Sequence, residues 1–206
     1  MKVILVNGSP RAKGCTYTAL TEVANTLQAE GIETEIVQIG TKAVQGCISC
    51  GACHKLKRCV QDEVVNELGE KILAADGMIF GSPVYYANAN GSLLALMDRL
   101  FFVYGKRFQG KLAASVVSAR RGGCTSAFDT MNKFYQINHV HVVSSQYWNQ
   151  VHGSTPEQVA EDLEGLQIMR SLGRNMAWLL KCIELGKEHG LDTPVHEAGI
   201  GTNFIR

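Results

Sequence analysis

The sequence has little of what marks a nucleic-acid-binding, secreted or membrane-spanning protein. Among 206 residues, 20 Lys and Arg stand against 19 Asp and Glu, a net charge of +1, so no long-range field would gather a polyanion such as DNA. No apolar run approaches the roughly 18 residues that cross a bilayer, and the apolar run 3–6 is too short for a signal peptide. We therefore expect a cytoplasmic protein with no nucleic-acid partner and no membrane partner.

The chain also lacks internal repeats, low-complexity tracts and linkers rich in Pro, Gly and Ser. With 206 residues, 46% of them hydrophobic, it is long enough to fill one core. We predict a single domain over residues 1–206. Because residues 193–206 show no hydrophobic period, we interpret 192–206 as a C-terminal tail.

Hydrophobic patterning alternates between strand-like and helix-like segments. Strands are predicted at 3–6, 34–39, 77–81, 112–118 and 140–144, and helices at 16–28, 63–73, 91–104, 126–134 and 156–187. This alternation is typical of α/β proteins with a doubly wound, five-stranded parallel sheet and helices on both faces. In the strand order 2-1-3-4-5, the turns after strands one and three open on one crevice, because the order reverses between those strands.

The turn after the first strand lacks the G-x-G-x-x-G pattern of nicotinamide-dinucleotide folds. Residues 8–16 have the sequence G-S-P-R-A-K-G-C-T and then continue as a helix, whose first N–H groups are free to bind an anion. Hydroxyl and guanidinium groups here suit a terminal phosphate monoester, such as that of FMN. The candidate residues are Ser9, Arg11, Gly14, Cys15 and Thr16. An ordinary turn, with Gly for freedom and Ser as a cap, explains the same residues.

Two further turns would open at the same edge of the sheet. Residues 81–92 follow strand three, and there Pro83 stiffens the turn, backbone amides from Val84 onward could bind the edge of a flat heterocycle, and an aromatic wall could come from Tyr85 or Tyr86. Residues 118–124 follow strand four; their glycines allow close approach to a ligand, and an arginine could hold negative charge. The candidates in this second turn are Arg120, Arg121, Gly122 and Gly123. Alternatively, one of the tyrosines fills the core or an interface, and Arg121 is a surface charge.

The densest chemical signal is a group of four cysteines at short intervals. The spacing of Cys47, Cys50, Cys53 and Cys59 is C-x2-C-x2-C-x5-C, which allows soft thiolates to converge on an iron–sulfur cluster or on zinc. Zinc is less favoured, because the spacing does not form two separated pairs. The alternative is reduced thiols packed under a loop. Cys124 and Cys182 lie outside the group, and we expect both to pack in the interior.

These motifs occur in a particular order over residues 1–150. The strand, the G-S-x-R loop, the cysteine segment, the G-S-P-V-Y loop and a helix with Asp98-Arg99 follow one another. In this order the sequence resembles the flavodoxin-like NAD(P)H-dependent FMN reductases and, within them, the iron–sulfur flavoproteins.

The resemblance implies a flavodoxin-like fold and non-covalent FMN, with its phosphate at residues 9–16. Its isoalloxazine ring would lie along residues 83–88, including Asn88, with the 120–123 turn and Ser118 nearby. NAD(P)H is implied as co-substrate, and a homodimer or homotetramer with the flavin near the subunit interface. The chain departs from the family pattern at Cys15, where an amide is common, and at Asn88, where a small hydroxyl is frequent.

The leading functional hypothesis is an FMN-dependent oxidoreductase. NAD(P)H would reduce the flavin, and a quinone, nitro or azo compound, free flavin or redox protein would then take the electrons. The alternative is an iron–sulfur flavoprotein that carries electrons between proteins, with a [4Fe–4S] cluster on Cys47, Cys50, Cys53 and Cys59. A redox-sensing module that depends on the thiols alone is a third hypothesis.

Overall fold

The computed structural model of the protein describes residues 1–61 and 63–202; Asp62 and the end of the predicted tail, 203–206, lie outside the described residues. The strands are β1 (Lys2–Asn7), β2 (Glu33–Gln38), β3 (Gly77–Tyr85), β4 (Asn88–Ala89), β5 (Leu112–Ala119), β6 (His141–Val142) and β7 (Gln150–His152). The helices are α1 (Cys15–Ala29), α2 (Cys53–Leu56), α3 (Glu63–Leu73), α4 (Gly91–Tyr104), α5 (Cys124–Gln136), α6 (Pro156–Glu161) and α7 (Leu163–Glu188), with a 3-10 turn at Gly105–Phe108. No helix in this part of the chain is long and apolar enough to cross a membrane.

The strands form one sheet in the order β2-β1-β3-β5-β6. These five are the predicted strands in the predicted order 2-1-3-4-5, and their pairings are parallel. The predicted count of five is wrong, since β4 adds to β3 and β7 adds to β5, which makes seven.

The central strands are covered on both faces. In β1, Val3 and Leu5 pack on the side of α1 and α7, while Ile4 and Val6 pack on the side of α3 and α4. Successive side chains of a strand point to opposite faces, so a strand without polar positions has to be buried on both sides. The two hydrophobic cores therefore lie on opposite faces of the same sheet.

The last part of the sheet differs from the prediction. The strand expected at 140–144 is only two residues long and pairs with the start of β5, through Leu112 and Ala113. The rest of that edge is taken by β7, which pairs with Val117–Ala119. The predicted helix 156–187 is also divided, because Asp162 caps α7 by accepting from the amide of Gly165 at 2.9 Å.

Strand β3 is longer than predicted and ends in a hairpin. The expected strand was 77–81, but the pairing of Pro83 with Ser118 extends it along β5. Antiparallel pairing of Tyr85 with Asn88 then closes the hairpin on β4. Pro83 and Tyr85, expected in a loop, are therefore strand residues, and only positions 86 and 87 form the turn.

Candidate functional site

Three turns meet at the carboxyl edge of the sheet. The amide of Gly8, after β1, donates to the carbonyl of Gly81 in β3 at 2.8 Å. At the start of α1, Thr16 Oγ1 lies 2.8 Å from Oγ of Ser118 near the end of β5. These two hydrogen bonds hold the turn after β1 and the start of α1 against β3 and β5, whose own following turns lie at the same edge.

The first of these turns, which we call the phosphate loop (residues 8–14), leads directly into α1. Gly14 is the N-cap residue of the helix and provides no side-chain cap, so the first amides of α1 keep their capacity to bind an anion. Ser9 is buried and its Oγ accepts from the amide of Arg11 at 3.1 Å, whereas the Arg11 side chain is exposed. The site thus offers the first N–H groups of α1 and two exposed positive charges of the loop, Arg11 and Lys13.

Three of the candidate side chains are hydrogen-bonded within the protein. The hydroxyls of Thr16 and Ser118 are buried and paired with each other. The Cys15 thiol donates to the carbonyl of Gly153, at the end of β7, with a distance of 3.6 Å. Burial raises the pKa of this thiol, so it stays protonated at neutral pH.

The β3–β4 hairpin forms a second wall of the site. Tyr85 is 47% exposed and Tyr86 is fully exposed, while Pro83, Val84 and Asn88 are half-buried. Tyr86 and Ala87 both have positive φ, 48° and 60°, as a two-residue type I′ turn requires. An aromatic residue in that conformation is unusual, and the pairing of β3 with β4 on either side of the turn holds it there.

The third turn contacts the hairpin through a glycine. Gly123 has a φ of 93°, and a Cβ there would lie 2.6 Å from the Cα of Ala87 and 2.8 Å from a methyl of Val84. At Gly122 a Cβ would meet nothing within 4 Å. Arg120 and Arg121 are exposed beside this contact, which leaves both free to reach a negatively charged ligand.

Three buried or half-buried amide residues at this edge were not among the predicted site residues. They are Asn7, at the end of β1, Gln38, at the end of β2, and Asn90, which caps α4. Each of them donates a hydrogen bond to a carbonyl of the phosphate loop. The sequence did contain a signal for them, because each is a polar residue at the end of a strand or directly before a helix.

The cysteine segment, residues 47–59, lies between β2 and α3. Cys47 and Cys50 are exposed and Cys53 starts α2. All are free thiols, which are the donors that an iron–sulfur cluster uses. Within residues 1–61 and 63–202, however, no three His, Cys, Asp or Glu side chains converge so that they could hold a metal ion. The segment has the donor chemistry of a cluster site without the convergence.

Cys59 is held more firmly than the other thiols of the segment. Its sulfur accepts from Nε and Nη2 of Arg99 at 3.3 and 3.2 Å, and Arg99 is 1% exposed. The side chain of Asn66 accepts from the amide of Cys59 and donates to its carbonyl, at 2.8 and 2.9 Å. Helices α3 and α4 therefore fix both the backbone and the sulfur of this residue.

The two remaining cysteines differ from each other. Cys124 is buried at the start of α5, as expected, and burial raises the pKa of its thiol. The expectation that Cys182 packs in the interior is wrong, because it lies on the exposed side of α7.

A cavity of about 190 Å³ lies away from these turns. Its lining includes Met1, Asp76 and Lys187, at the amino edge of the sheet. Lys111 also lines it and donates to the carbonyls of Leu73 and Ala75, at the end of α3. Because these carbonyls satisfy its ammonium group, the burial of Lys111 does not require a ligand in the cavity.

The geometry agrees with the comparison to known proteins. Residues 1–154 match the family described as NADPH-dependent FMN reductase. The chain belongs to this family. It is 33% identical to an iron–sulfur flavoprotein of Methanocaldococcus jannaschii over 192 residues, which cover 89% of this chain and 100% of that protein.

Solved structures show the same fold. A flavodoxin from the domain Archaea has a TM-score of 0.59 with 16% identity, over 88% of this chain and 99% of that one. An NAD(P)H:quinone oxidoreductase from Methanothermobacter marburgensis has a TM-score of 0.65 with 20% identity, over 85% and 96%. The predicted family and flavodoxin-like fold are thus confirmed, and family membership makes this chain an FMN-dependent oxidoreductase.

Proposed function

We propose that this chain uses NAD(P)H to reduce bound FMN and passes the electrons to a quinone, a nitro or azo compound, free flavin or a redox protein. The observation that carries the proposal is the meeting of three turns at the open N-terminus of α1. That arrangement suits a flat ring system with one terminal phosphate. When bound, FMN supplies the hydride and electron chemistry, and the protein supplies binding and orientation.

Each wall of the site has its own part in holding FMN. The phosphate loop would bind the phosphate through the first amides of α1, with Arg11 adding positive charge. The hairpin residues 83–88 would lie along the ring, with Tyr85 as an aromatic wall. Arg120 or Arg121 would offset negative charge on the reduced ring or on the phosphates of NAD(P)H.

The first test is binding and bleaching of the flavin. Apo protein should regain a yellow chromophore with FMN, and NAD(P)H should bleach it in the absence of oxygen. Arg11→Ala should weaken FMN binding about three- to tenfold, as for the loss of a charge-assisted contact. Arg174→Ala, an exposed position on α7, should leave it unchanged. A wild-type protein that does not bind FMN would contradict the proposal.

We also propose that copies of this chain assemble as a homodimer or homotetramer in the cytoplasm. Tyr86 is fully exposed at the candidate site, and Phe102 and Trp178 are 69% and 65% exposed. Exposed apolar side chains mark an interface where they form a patch, and these aromatic residues, on the hairpin, α4 and α7, are the candidates for such patches. Sedimentation of the FMN-loaded protein measures the assembly, and a monomer at micromolar concentration would contradict it.

A second candidate function is an iron–sulfur flavoprotein that carries electrons between proteins. It is supported by the relative of that name and by the four free thiols of the cysteine segment, whereas the described residues do not bring three of those thiols together. Iron and sulfide analysis after anaerobic purification tests it. Loss of both from a Cys50→Ser variant supports a cluster, and unchanged visible absorbance in that variant excludes it.

A further inference from the structure

The carbonyl groups of the phosphate loop are hydrogen-bonded to side chains inside the protein. Nδ2 of Asn90 donates to the carbonyl of Gly8 at 3.0 Å. Nε2 of Gln38 donates to the carbonyl of Ser9 at 2.6 Å. Both donors lie outside the loop, at the N-cap of α4 and in β2, so two separate parts of the fold hold neighbouring peptides of the loop.

A third amide completes the arrangement. Nδ2 of Asn7 lies 3.4 Å from the carbonyls of both Arg11 and Ala12. It also donates to Oε1 of Gln38 at 2.5 Å, and Asn7 and Gln38 are register partners on neighbouring strands. On the other side, Oδ1 of Asn7 accepts from the amide of Ser9 at 3.1 Å. We call Asn7, Gln38 and Asn90 the amide brace.

The brace has an electrostatic consequence for an anion at the loop. Carbonyl oxygens carry partial negative charge and repel a phosphate, whereas backbone N–H groups attract it. The carbonyls of Gly8 and Ser9 each accept from a side-chain donor, and those of Arg11 and Ala12 share the second N–H of Asn7, so the protein holds the negative ends of these peptides. The uncapped first turn of α1 then faces the anion with its free N–H groups and the positive end of the helix dipole.

We propose that the amide brace makes this chain select phosphorylated over unphosphorylated flavin, with Gln38 and Asn90 as positioning residues. The inference rests on the proposed function, because it concerns the same site. Gln38 is suited to this role by its place at the end of β2, where it contacts both the loop and Asn7. None of the three side chains is needed to contact the flavin ring.

The side chain of Asn90 has two functions, one in the brace and one as the cap of α4, and a substitution can separate them. Its Oδ1 accepts from the amide of Ser92 at 2.8 Å and so caps α4, while its Nδ2 holds Gly8. Asn90→Asp keeps the cap acceptor and removes the donor. Gln38→Met removes the amide of Gln38 with little change in side-chain length. A matched control is Gln28→Met, because the amide of Gln28 bonds Thr34 at the other end of β2.

The experiment measures dissociation constants for FMN and for riboflavin with each variant. Loss of one hydrogen bond that orients the loop should raise the FMN constant about three- to tenfold in Gln38→Met, and more in Asn90→Asp, which adds a carboxylate. The dissociation constant for riboflavin should change less than about twofold, because riboflavin has no phosphate for the loop to bind. Gln28→Met should alter neither constant, and thermal melts verify that each variant is folded.

The outcomes separate the inference from the function on which it rests. If wild-type protein fails to bind FMN, the proposed function is wrong. If wild type binds FMN but Gln38→Met and Asn90→Asp weaken FMN and riboflavin equally, or weaken neither, the brace is merely structural and the inference is overturned. Where riboflavin binds too weakly to measure, inhibition of FMN binding by inorganic phosphate gives the same comparison. Its inhibition constant should rise with the FMN constant, and an unchanged value overturns the inference.

Discussion

Asn149 is a buried polar residue whose side chain is left without hydrogen bonds. It is 1% exposed, and neither Oδ1 nor Nδ2 has a partner among the described residues. Its backbone carbonyl, in contrast, accepts from the amide of Val117 at 2.9 Å. A buried amide without partners costs free energy, because it loses its bonds to water on folding.

Replacing Asn149 by leucine, which has a similar shape, should therefore stabilise the protein. We expect a gain of about 1–3 kcal/mol in the free energy of unfolding for Asn149→Leu, measured by urea denaturation. The matched control is Asn132→Leu, because Oδ1 of Asn132 accepts from the hydroxyl of Ser115 at 2.9 Å. Removal of this bonded amide should lower the free energy of unfolding. A loss of stability in Asn149→Leu would show that a water or another polar group satisfies the native amide.

Some residues of the site could be predicted from the sequence and others could not. Ser9 and Gly14 were identified because a helix follows an apolar strand and a glycine-containing turn. Gln38 was not, since it lies 29 residues from Ser9 along the chain and reaches it only through the pairing of β1 and β2. Cys182 was misplaced because the exposed side of α7 depends on which side faces α1.

At the scale of elements, the contact between the hairpin and the turn after β5 depends on Gly123. A side chain at this position would be unfavourable for two reasons. Its φ of 93° disfavours any residue but glycine, and its Cβ would lie 2.6 Å from the Cα of Ala87. Gly123→Ala should lower the free energy of unfolding by about 1–3 kcal/mol and weaken FMN binding. Gly122→Ala, with open space around its Cβ, should stay within about 0.5 kcal/mol. Urea denaturation and FMN titration measure both, and equal effects of the two substitutions would contradict the contact.

The edge strand β2 is joined to its neighbours by ion pairs. Glu35 accepts from Nζ of Lys71, in α3, at 2.7 Å and from Nζ of Lys2, in β1, at 3.1 Å. These hydrogen bonds, that of Lys71 first, hold the pKa of Glu35 below its ordinary value. A carboxylate with a lowered pKa in the folded state stabilises above its unfolded pKa of about 4.3. The contribution is lost as the pH falls through the folded pKa.

Glu35→Gln should consequently destabilise the protein at pH 7 but not at low pH. We expect less than about 1 kcal/mol at pH 7, since both partners are partly exposed to solvent. Urea denaturation of wild type and Glu35→Gln from pH 7 down to pH 3 should show the difference shrink as the pH falls below about 4.3. A difference that is undiminished between pH 7 and pH 3 would mean that the carboxylate charge is not its cause.

For the whole molecule, FMN binding should stabilise the fold, because the site is built from three turns that come together only in the folded chain. At a free FMN concentration 100 times its dissociation constant, the free energy of unfolding should rise by about 2.7 kcal/mol. Thermal or urea denaturation across an FMN series measures this. A melting temperature independent of FMN would show that the folded site does not bind it.

The sequence by itself determined the family, the parallel α/β sheet and the edge of the sheet at which the three turns lie. Those features depend on local patterns: the period of apolar residues, glycines after strands, and the order of motifs along the chain. It also placed the five main strands in their correct order.

Only the tertiary structure decided how those turns are held and what surrounds them. The two extra strands, the hairpin after Pro83, the amide brace and the bonds of Arg99 to Cys59 all join residues distant in the chain. Such contacts depend on which strands become neighbours and on which side each helix faces the sheet. A short edge strand such as β7 and a half-buried amide such as Gln38 have almost no local signature, since packing partners rather than their own residues stabilise them.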